Sequence, residues 1–313
     1  MLNFIIKRLL TSILVIIGVT IVIFSLVHMA PGDPIQIMAG LDAKEEDIEA
    51  LRVKMGMDKP LIVQYFNYVK GLLHLDLGKS IITNKNISDE IFFRFRNTAE
   101  LAVAGMLISS VFGIFIGIVA AVNRDRWLDK TLMSLSITGI SMPSFLLALL
   151  LMLLLVSQWH LLPASGREGS PFTAEGFKYI ILPALTLGIS GTASIARLTR
   201  SSVVAVLNEE FVMTLKAKGL RRKMILFKHI LRNASLPILT MIGLDFGYLL
   251  GGAVVTETIF AWPGIGKYAM DAISQNDFPA VQGAVLILSM MFMLINLVVD
   301  LLYGVLDPRV SLE

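Results

Sequence analysis

The sequence predicts an all-α membrane protein with six transmembrane helices, both termini on the cytoplasmic side, and an external helical cap between the first and second spans. Three observations carry this. Of 313 residues, 55% are apolar and 16% charged, and the mean hydropathy is clearly positive, a balance foreign to soluble globular domains. Six stretches are long enough, at about 1.5 Å per residue, to cross a hydrocarbon core of about 30 Å. Lysine and arginine gather on one side of those stretches. The formal charge of +3 is small and gives no reason to expect nucleic acid as a partner. The absence of cysteine excludes a disulfide framework, thiolate zinc sites and thiol catalysis.

Residues 1–30 form the N-terminal segment and first span, with Lys7 and Arg8 ahead of a charge-free run from Leu9 to Met29. Val27-His28-Met29-Ala30 is a poor cleavage site, which argues against a removed signal peptide. Residues 31–98 are too long for a simple connection. Pro31-Gly32-Asp33-Pro34 breaks the first helix. Ile48, Leu51 and Met55 give Ala43 to Met55 a helical rhythm, as Leu61, Tyr65, Tyr68 and Leu72 do for Leu61 to Leu75, so this segment is expected to fold as the external cap.

Residues 99–306 hold the other spans: Leu101 to Val122, Thr131 to Val156, Tyr179 to Ala196, Leu236 to Thr256 and Ala280 to Val299. Pro143 lies near the middle of the third span, in Ser141-Met142-Pro143-Ser144. There it frees a carbonyl and kinks the helix, as a mobile bend or as a static packing kink, with Ser141 or Ser144 placed to repair the gap. Gly188, Ser190, Gly191, Thr192 and Ser194 make the fourth span the least apolar, so it is expected against other helices or water. Gly243, Gly247 and Gly251 draw a small-residue stripe along the fifth span, which reads equally as a contact on a pathway or with a partner and as packing within this chain. Asp245 lies on a different face. A charge near mid-membrane costs about 2.5 to 3.5 kcal/mol on insertion scales, so Asp245 is expected to face a cavity or a partner. Asp300, at the inner end of the last span, is expected to be a helix-end residue that snorkels or pairs with a cytoplasmic base. Residues 307–313 form a cytoplasmic tail.

Orientation follows from the short connections. Lys7, Arg8, Arg124, Arg126, Lys130, the nine basic residues from Arg197 to Arg232 and Arg309 lie on one side, against Arg167, Lys178 and Lys267 on the other. Fifteen against three puts the termini, and the loop 207–237, in the cytoplasm.

That loop is the chain's main polar interruption. Asn208 is placed as an N-cap, with Glu209 and Glu210 in the first turn, Lys216 and Lys218 in the last, and Gly219 as the stop. Leu207, Phe211, Val212 and Leu215 fall on one face, and a second amphipathic stretch mixes five bases with Met224, Phe227, Ile230 and Leu231 before Leu236-Pro237. By itself the segment reads as an interfacial helix or as one that docks into a partner.

Ala217-Lys218-Gly219-Leu220, followed after nine residues by Ile230-Leu231-Arg232-Asn233-Ala234-Ser235-Leu236-Pro237, resembles the cytoplasmic coupling loop of bacterial ABC importer permeases of the peptide and nickel type. The resemblance extends through Gly56-Met57-Asp58-Lys59-Pro60-Leu61, Leu75-Asp76-Leu77-Gly78-Lys79-Ser80, Asn97-Thr98, Leu162-Pro163-Ala164, Ile181-Leu182-Pro183-Ala184, Phe260-Ala261-Trp262-Pro263-Gly264 and Asp307-Pro308-Arg309, nearly the whole chain. One departure stands out: the Glu-Ala-Ala of the general importer pattern is Met213-Thr214-Leu215 here.

The resemblance implies a type I ABC importer permease fold in the bacterial inner membrane. It also implies a second homologous permease subunit, two ATP-binding subunits that carry ATP and magnesium, and an extracytoplasmic solute-binding protein. Phe211, Leu215, Ala217, Lys218, Gly219, Leu220 and Arg221 are the expected ATPase contacts. Pro143, Gly243, Asp245, Gly247 and Gly251 are expected on the pathway or in helix packing, and Glu257, Trp262, Pro263 and Gly264 at the binding-protein docking surface. Di- or oligopeptides are the expected cargo, with nickel or a metal chelate as the alternative and an ATP-independent channel or secondary carrier as the alternative of another class.

No cofactor is expected on this chain. Gly71 to Ser80 ends in Gly-Lys-Ser but has Leu73 where a phosphate-binding loop needs glycine. His28, His74, His160 and His229 show no ligand spacing, and no HExxH or GxSxG occurs, so a catalytic role is not expected.

Overall fold

The computed structural model describes residues 2–29, 34–39 and 44–306, and its regular elements there are all helices. Pro31-Gly32-Asp33, Asp307-Pro308-Arg309 and the rest of the tail lie outside the described residues. After α1 (Leu2–Met29), the expected cap supplies α2 (Pro34–Ala39), α3 (Glu45–Met55) and α4 (Leu61–Leu73). Gly56, with φ +70°, ends α3 in a left-handed turn that favours glycine. The cap leans on α1: the hydroxyls of Tyr65 and Thr20 lie 3.0 Å apart, His28 meets Gln64 at 3.1 Å, and Phe24 packs edge-on against Tyr65.

The core follows as α5 (Ile87–Val122), α6 (Trp127–Ser141), α7 (Ser144–Leu151) and α8 (Ala174–Leu207), then α9 (Glu210–Ala217), α10 (Arg222–Met224), α11 (Leu231–Ile259), α12 (Ile265–Ser274) and α13 (Phe278–Leu306). Among the described residues, five helices are long and apolar enough to cross a membrane, or six if α6 and the stretch Ser144–Gln158 that begins with α7 together make one span. The third span therefore differs from expectation. Pro143 does not kink a continuous helix; α6 and α7 meet at 107°. Proline lacks the N–H that would continue the ladder and pushes the preceding residue out of the helical region, and Met142 is extended, with ψ 123°. Ser141 bonds to Ile137 O inside α6 and does not repair the break.

The centre of the fold is the pair α5 and α8. Gly105, Ser109, Gly113, Gly117 and Ala121 recur every four residues along α5 and are buried, forming a small-residue stripe that lets α8 approach backbone to backbone. A Cβ at Gly113 would stand 2.7 Å from Ile195 Cβ, and one at Gly117 would stand 2.5 Å from Thr199 Cβ. With both helices this close, an added methyl forces them apart at about 1–3 kcal/mol. Around this pair, one apolar cluster joins α9 to α8 and α11 through Val203, Val212, Ile225 and Ile238. Another, at the far end, joins α12 to α5 and α13 through Ile87, Ile91, Ile265 and Ala284.

Candidate functional site

The polar loop folds as a short helix on a long one, shifted from the sequence reading by one junction. α8 runs on to Leu207, so Asn208 closes α8 instead of opening α9, and Glu209 takes the extended N-cap position without a side-chain bond. The apolar face is also spent differently. Val212 is fully buried, and Leu207, Leu215 and Leu220 are packed against the same cluster, so the chain covers that face with its own helices. Phe211, expected on that face, is 36% exposed.

What remains uncovered is the apex: Ala217, Lys218, Gly219 and Arg221 are exposed, along with Met213, Met224 and Phe227. Gly219 has φ +75° and open space around its Cα. Its left-handed turn lets Gly219 N–H donate to Lys216 O at 3.0 Å and Leu220 N–H to Leu215 O at 3.3 Å, which ends α9 and returns Leu220 to the cluster.

Seven residues before α8 ends, Arg200 donates two hydrogen bonds to Asp129 of α6, from Nε to Oδ1 at 2.5 Å and from Nη2 to Oδ2 at 2.6 Å. Asp129 is 2% exposed and also accepts from Asp125 N–H at 3.0 Å. A bidentate, desolvated pair of this kind fixes orientation as well as position. It ties the start of α6 to the helix that carries α9. Neither residue was singled out from the sequence, because they lie far apart in the chain and nothing local marks them.

The glycines of α11 divide between two surroundings. Gly243 lies against Val299 and Gly247 against Phe292 and Asn296 of α13, while Gly251 is exposed and a Cβ there would meet nothing within 4 Å. Asp245 does point to another face, and of the two places expected for it, on the pathway or in helix packing, it takes the second in this conformation. Its carboxylate is wedged between α5 and α8, so close that a Cβ on Gly191 would stand 2.0 Å from Oδ2 and 2.9 Å from Ser109 Cβ. Gly191 is thus the residue that admits this carboxylate. Tyr248 was missed by sequence reasoning: with Leu244 and Val255 it forms an uncovered stripe and is 78% exposed near the middle of its span. Stranding a hydroxyl without a partner in hydrocarbon costs about 2–7 kcal/mol, so this face calls for water, a ligand or another polypeptide.

The α11–α12 turn also corrects an expectation. Glu257, Trp262 and Gly264 are buried, and Pro263 is half-buried, so the first two cannot offer their side chains to a docking protein in this conformation. They build the turn instead. Glu257 accepts from Thr98 Oγ1 at 2.7 Å and from Lys267 N–H at 3.0 Å, a carboxylate set at the N-terminus of α12, where it complements the helix dipole. Ile265 N–H donates to Thr98 Oγ1 at 2.9 Å, Trp262 Nε1 to Asn97 O at 2.9 Å, and Asn97 Nδ2 to Pro263 O at 2.8 Å. Arg167, bonded to Glu100 at 2.8 Å, lies over the Trp262 ring. A Cβ on Gly264 would meet the Glu257 carboxylate at 2.2 Å.

Glu257→Ala is expected to cost about 3 kcal/mol by leaving buried donors unmatched. Glu257→Gln is expected to recover more than half, because its amide oxygen can still accept from Lys267 N–H while its amide nitrogen donates to the Thr98 hydroxyl. Melting of the detergent-purified protein checks both; equal melting of all three proteins would show that the turn does not depend on the carboxylate.

Two family models match the chain. That of the binding-protein-dependent transport system inner membrane component matches residues 113–312, and that of its N-terminal region matches residues 1–102. The dipeptide transport system permease protein DppB of Escherichia coli strain K12 is 42% identical over 335 residues, with 99% of each chain covered. The glutathione transport system permease protein GsiC of Salmonella choleraesuis is 42% identical over 310 residues, again with 99% of each covered. Among solved structures, an inward-facing MetNI methionine ABC transporter chain superposes with a TM-score of 0.56 at 13% identity, covering 69% of this chain and 96% of that one. That likeness concerns the fold alone.

Proposed function

The chain belongs to the family of binding-protein-dependent transport system inner membrane components, and on that premise we propose that it is the permease subunit of an ABC importer for di- or oligopeptides delivered by an extracytoplasmic binding protein. It is a multi-pass protein of the bacterial inner membrane and a transport component of a larger assembly. The full-length match to dipeptide and glutathione permeases carries the choice of cargo. The relatives named above give no support to nickel or a metal chelate.

In this reading the assembly contains a second homologous permease, two ATP-binding subunits holding ATP and magnesium, and the binding protein. Both termini and α9 face the cytoplasm, and the α3–α4 cap faces outside. The exposed apex from Ala217 to Arg221, with Phe211, seats in an ATP-binding subunit. When that subunit moves, α9 passes the displacement to α8 through Val212 and Leu215, and Arg200–Asp129 passes it to α6, whose break from α7 at Pro143 gives the motion a place to be absorbed. The Leu244–Tyr248–Val255 face borders the pathway, where a phenol hydroxyl meets water or a peptide amide. Ala261, which is exposed, and Pro263 present the α11–α12 turn to the binding protein. Transport requires the two orientations of the pathway to differ in energy by what nucleotide and loaded binding protein supply.

The assembly reconstituted in liposomes, with binding protein outside and ATP inside, should accumulate a labelled dipeptide and should not do so with ATP omitted. Accumulation driven by a gradient alone would replace the importer with a carrier, and uptake of nickel but no peptide would replace the cargo.

A further inference from the structure

Between the cap and the spans, α1, α4, α13 and the turn after α3 line a cavity of about 400 Å3, within the range of about 300–1,000 Å3 usual for small-molecule sites. Its body is aromatic: Phe24 and Tyr68 stack with ring centroids 6.1 Å apart, and Phe278 adds a third ring. Gln64 holds the turn in place, its Nε2 donating to Lys59 O at 2.8 Å and to Met57 O at 3.2 Å. Two other polar groups of the lining are unspent. Tyr68 Oη and Gln282 Nε2 are buried near each other, yet neither completes a hydrogen bond among the described residues, a state that costs stability until a partner arrives. Charge plays little part in the lining. No carboxylate occurs among the residues that form it, and its one guanidinium, Arg52, lies 3.3 Å from Glu49.

From this lining we propose that the cavity is an entry site for a di- or oligopeptide, held by a peptide group before the cargo reaches the pathway; the assignment rests on the peptide cargo proposed above. A carboxamide offers a donor and an acceptor together, as a peptide group does, so Gln282 and the Tyr68 hydroxyl can serve both sides of one peptide bond whatever side chains flank it. The rings take a small apolar side chain. Charged peptide termini stay in water at the mouth, where Asn67 and His28 are exposed. The cavity also has a continuation. Ser289 lies seven residues beyond Gln282, two turns along the same face of α13, and lines a groove with Gly251, which stands on the α11 face that carries Tyr248.

The assembled transporter in nanodiscs, without binding protein, is illuminated with an alanyl dipeptide that carries a diazirine on its second side chain. Adducts are expected to concentrate on Phe24, Tyr68 and Phe278 at least fivefold over Phe66 and Leu73, which are exposed on the cap outside the cavity. Excess dialanine should displace them, and its ester analogue, which lacks the amide N–H, should compete at least fivefold less well. Gln282→Leu keeps the shape and should lower cavity adducts about fivefold, Tyr68→Phe about threefold, and Val27→Trp, which fills the space, about tenfold. Melting of Gln282→Leu is expected to be no lower than that of the parent, since its amide nitrogen has no bond to lose. Labelling no stronger in the cavity than at Phe66 and Leu73, equal competition by amide and ester, or full yield in both Gln282→Leu and Val27→Trp would overturn the site. ATP-driven uptake of the same dipeptide with binding protein present separates the two readings: uptake without cavity adducts removes the entry site and leaves the cargo standing, whereas loss of both removes both.

Discussion

Gly219→Val is expected to lower ATP-dependent peptide uptake at least tenfold, and to remove stimulation of ATP hydrolysis by loaded binding protein, while the subunit still inserts and assembles. The reason is conformational. Space around Gly219 is open, so valine meets no neighbour, but at φ +75° a β-branched residue pays about 1–2 kcal/mol for the left-handed turn. The cheaper outcome is a rearranged loop in which Leu220 N–H no longer reaches Leu215 O and Leu220 leaves the apolar cluster, moving the exposed apex relative to α9. Gly219→Asn, which tolerates that region, should keep most of the uptake. Uptake and ATPase assays on the three proteins decide it: full activity of the valine variant would remove the apex from the coupling path, and equal loss in both variants would point to side-chain bulk at a contact instead of loop shape.

Arg200→Met is expected to give the largest loss of stability, about 3–5 kcal/mol, because it leaves the Asp129 carboxylate buried without its counter-charge. Asp129→Ala should cost less, since Arg200 is partly exposed and solvent still reaches it. The double variant should be more stable than the sum of the two losses predicts, by at least about 1 kcal/mol, the mark of a direct pair. Melting of the purified assemblies completes the cycle. Strictly additive losses would mean that the two side chains act separately and that α6 is held to α8 by other contacts.

Membrane character, the places of the apolar runs, the two longer cap helices and the glycine stop after α9 were legible in the sequence because each rests on local properties: hydropathy, spacing and a residue suited to positive φ. Features that depend on what lies across the bundle were not. The run from Leu101 to Val122 reads as uniformly apolar, and its four-residue beat of small side chains acquires meaning only once α8 is known to lie against it. Asp245 carries no sign of the gap at Gly191 that receives it. Glu257 in the last turn of α11 and Trp262 in the connection that follows lie where polar and aromatic residues suggest a surface; Asn97 and Thr98, more than 150 residues earlier, turn them inward. The α12 helix was not anticipated either, since Trp262-Pro263-Gly264 reads as the start of a loop and the carboxylate that caps the helix comes from before it. Pro143 was placed correctly, but the severity of its effect depends on how α6 and α7 pack on α8, which spacing cannot report.

The small residues spaced by four along α5 also limit how this protein can move. Sliding α5 along α8 would drive Ile195 and Thr199 out of the notches at Gly113 and Gly117, and the next set of notches lies about 6 Å away at 1.5 Å per residue. Intermediate offsets place methyl groups on methyl groups. The pair is therefore keyed like a ratchet with long teeth, and strokes shorter than a tooth must carry both helices together as a single strut, leaving the corner before Pro143 and the lightly buried α1 as the joints that give.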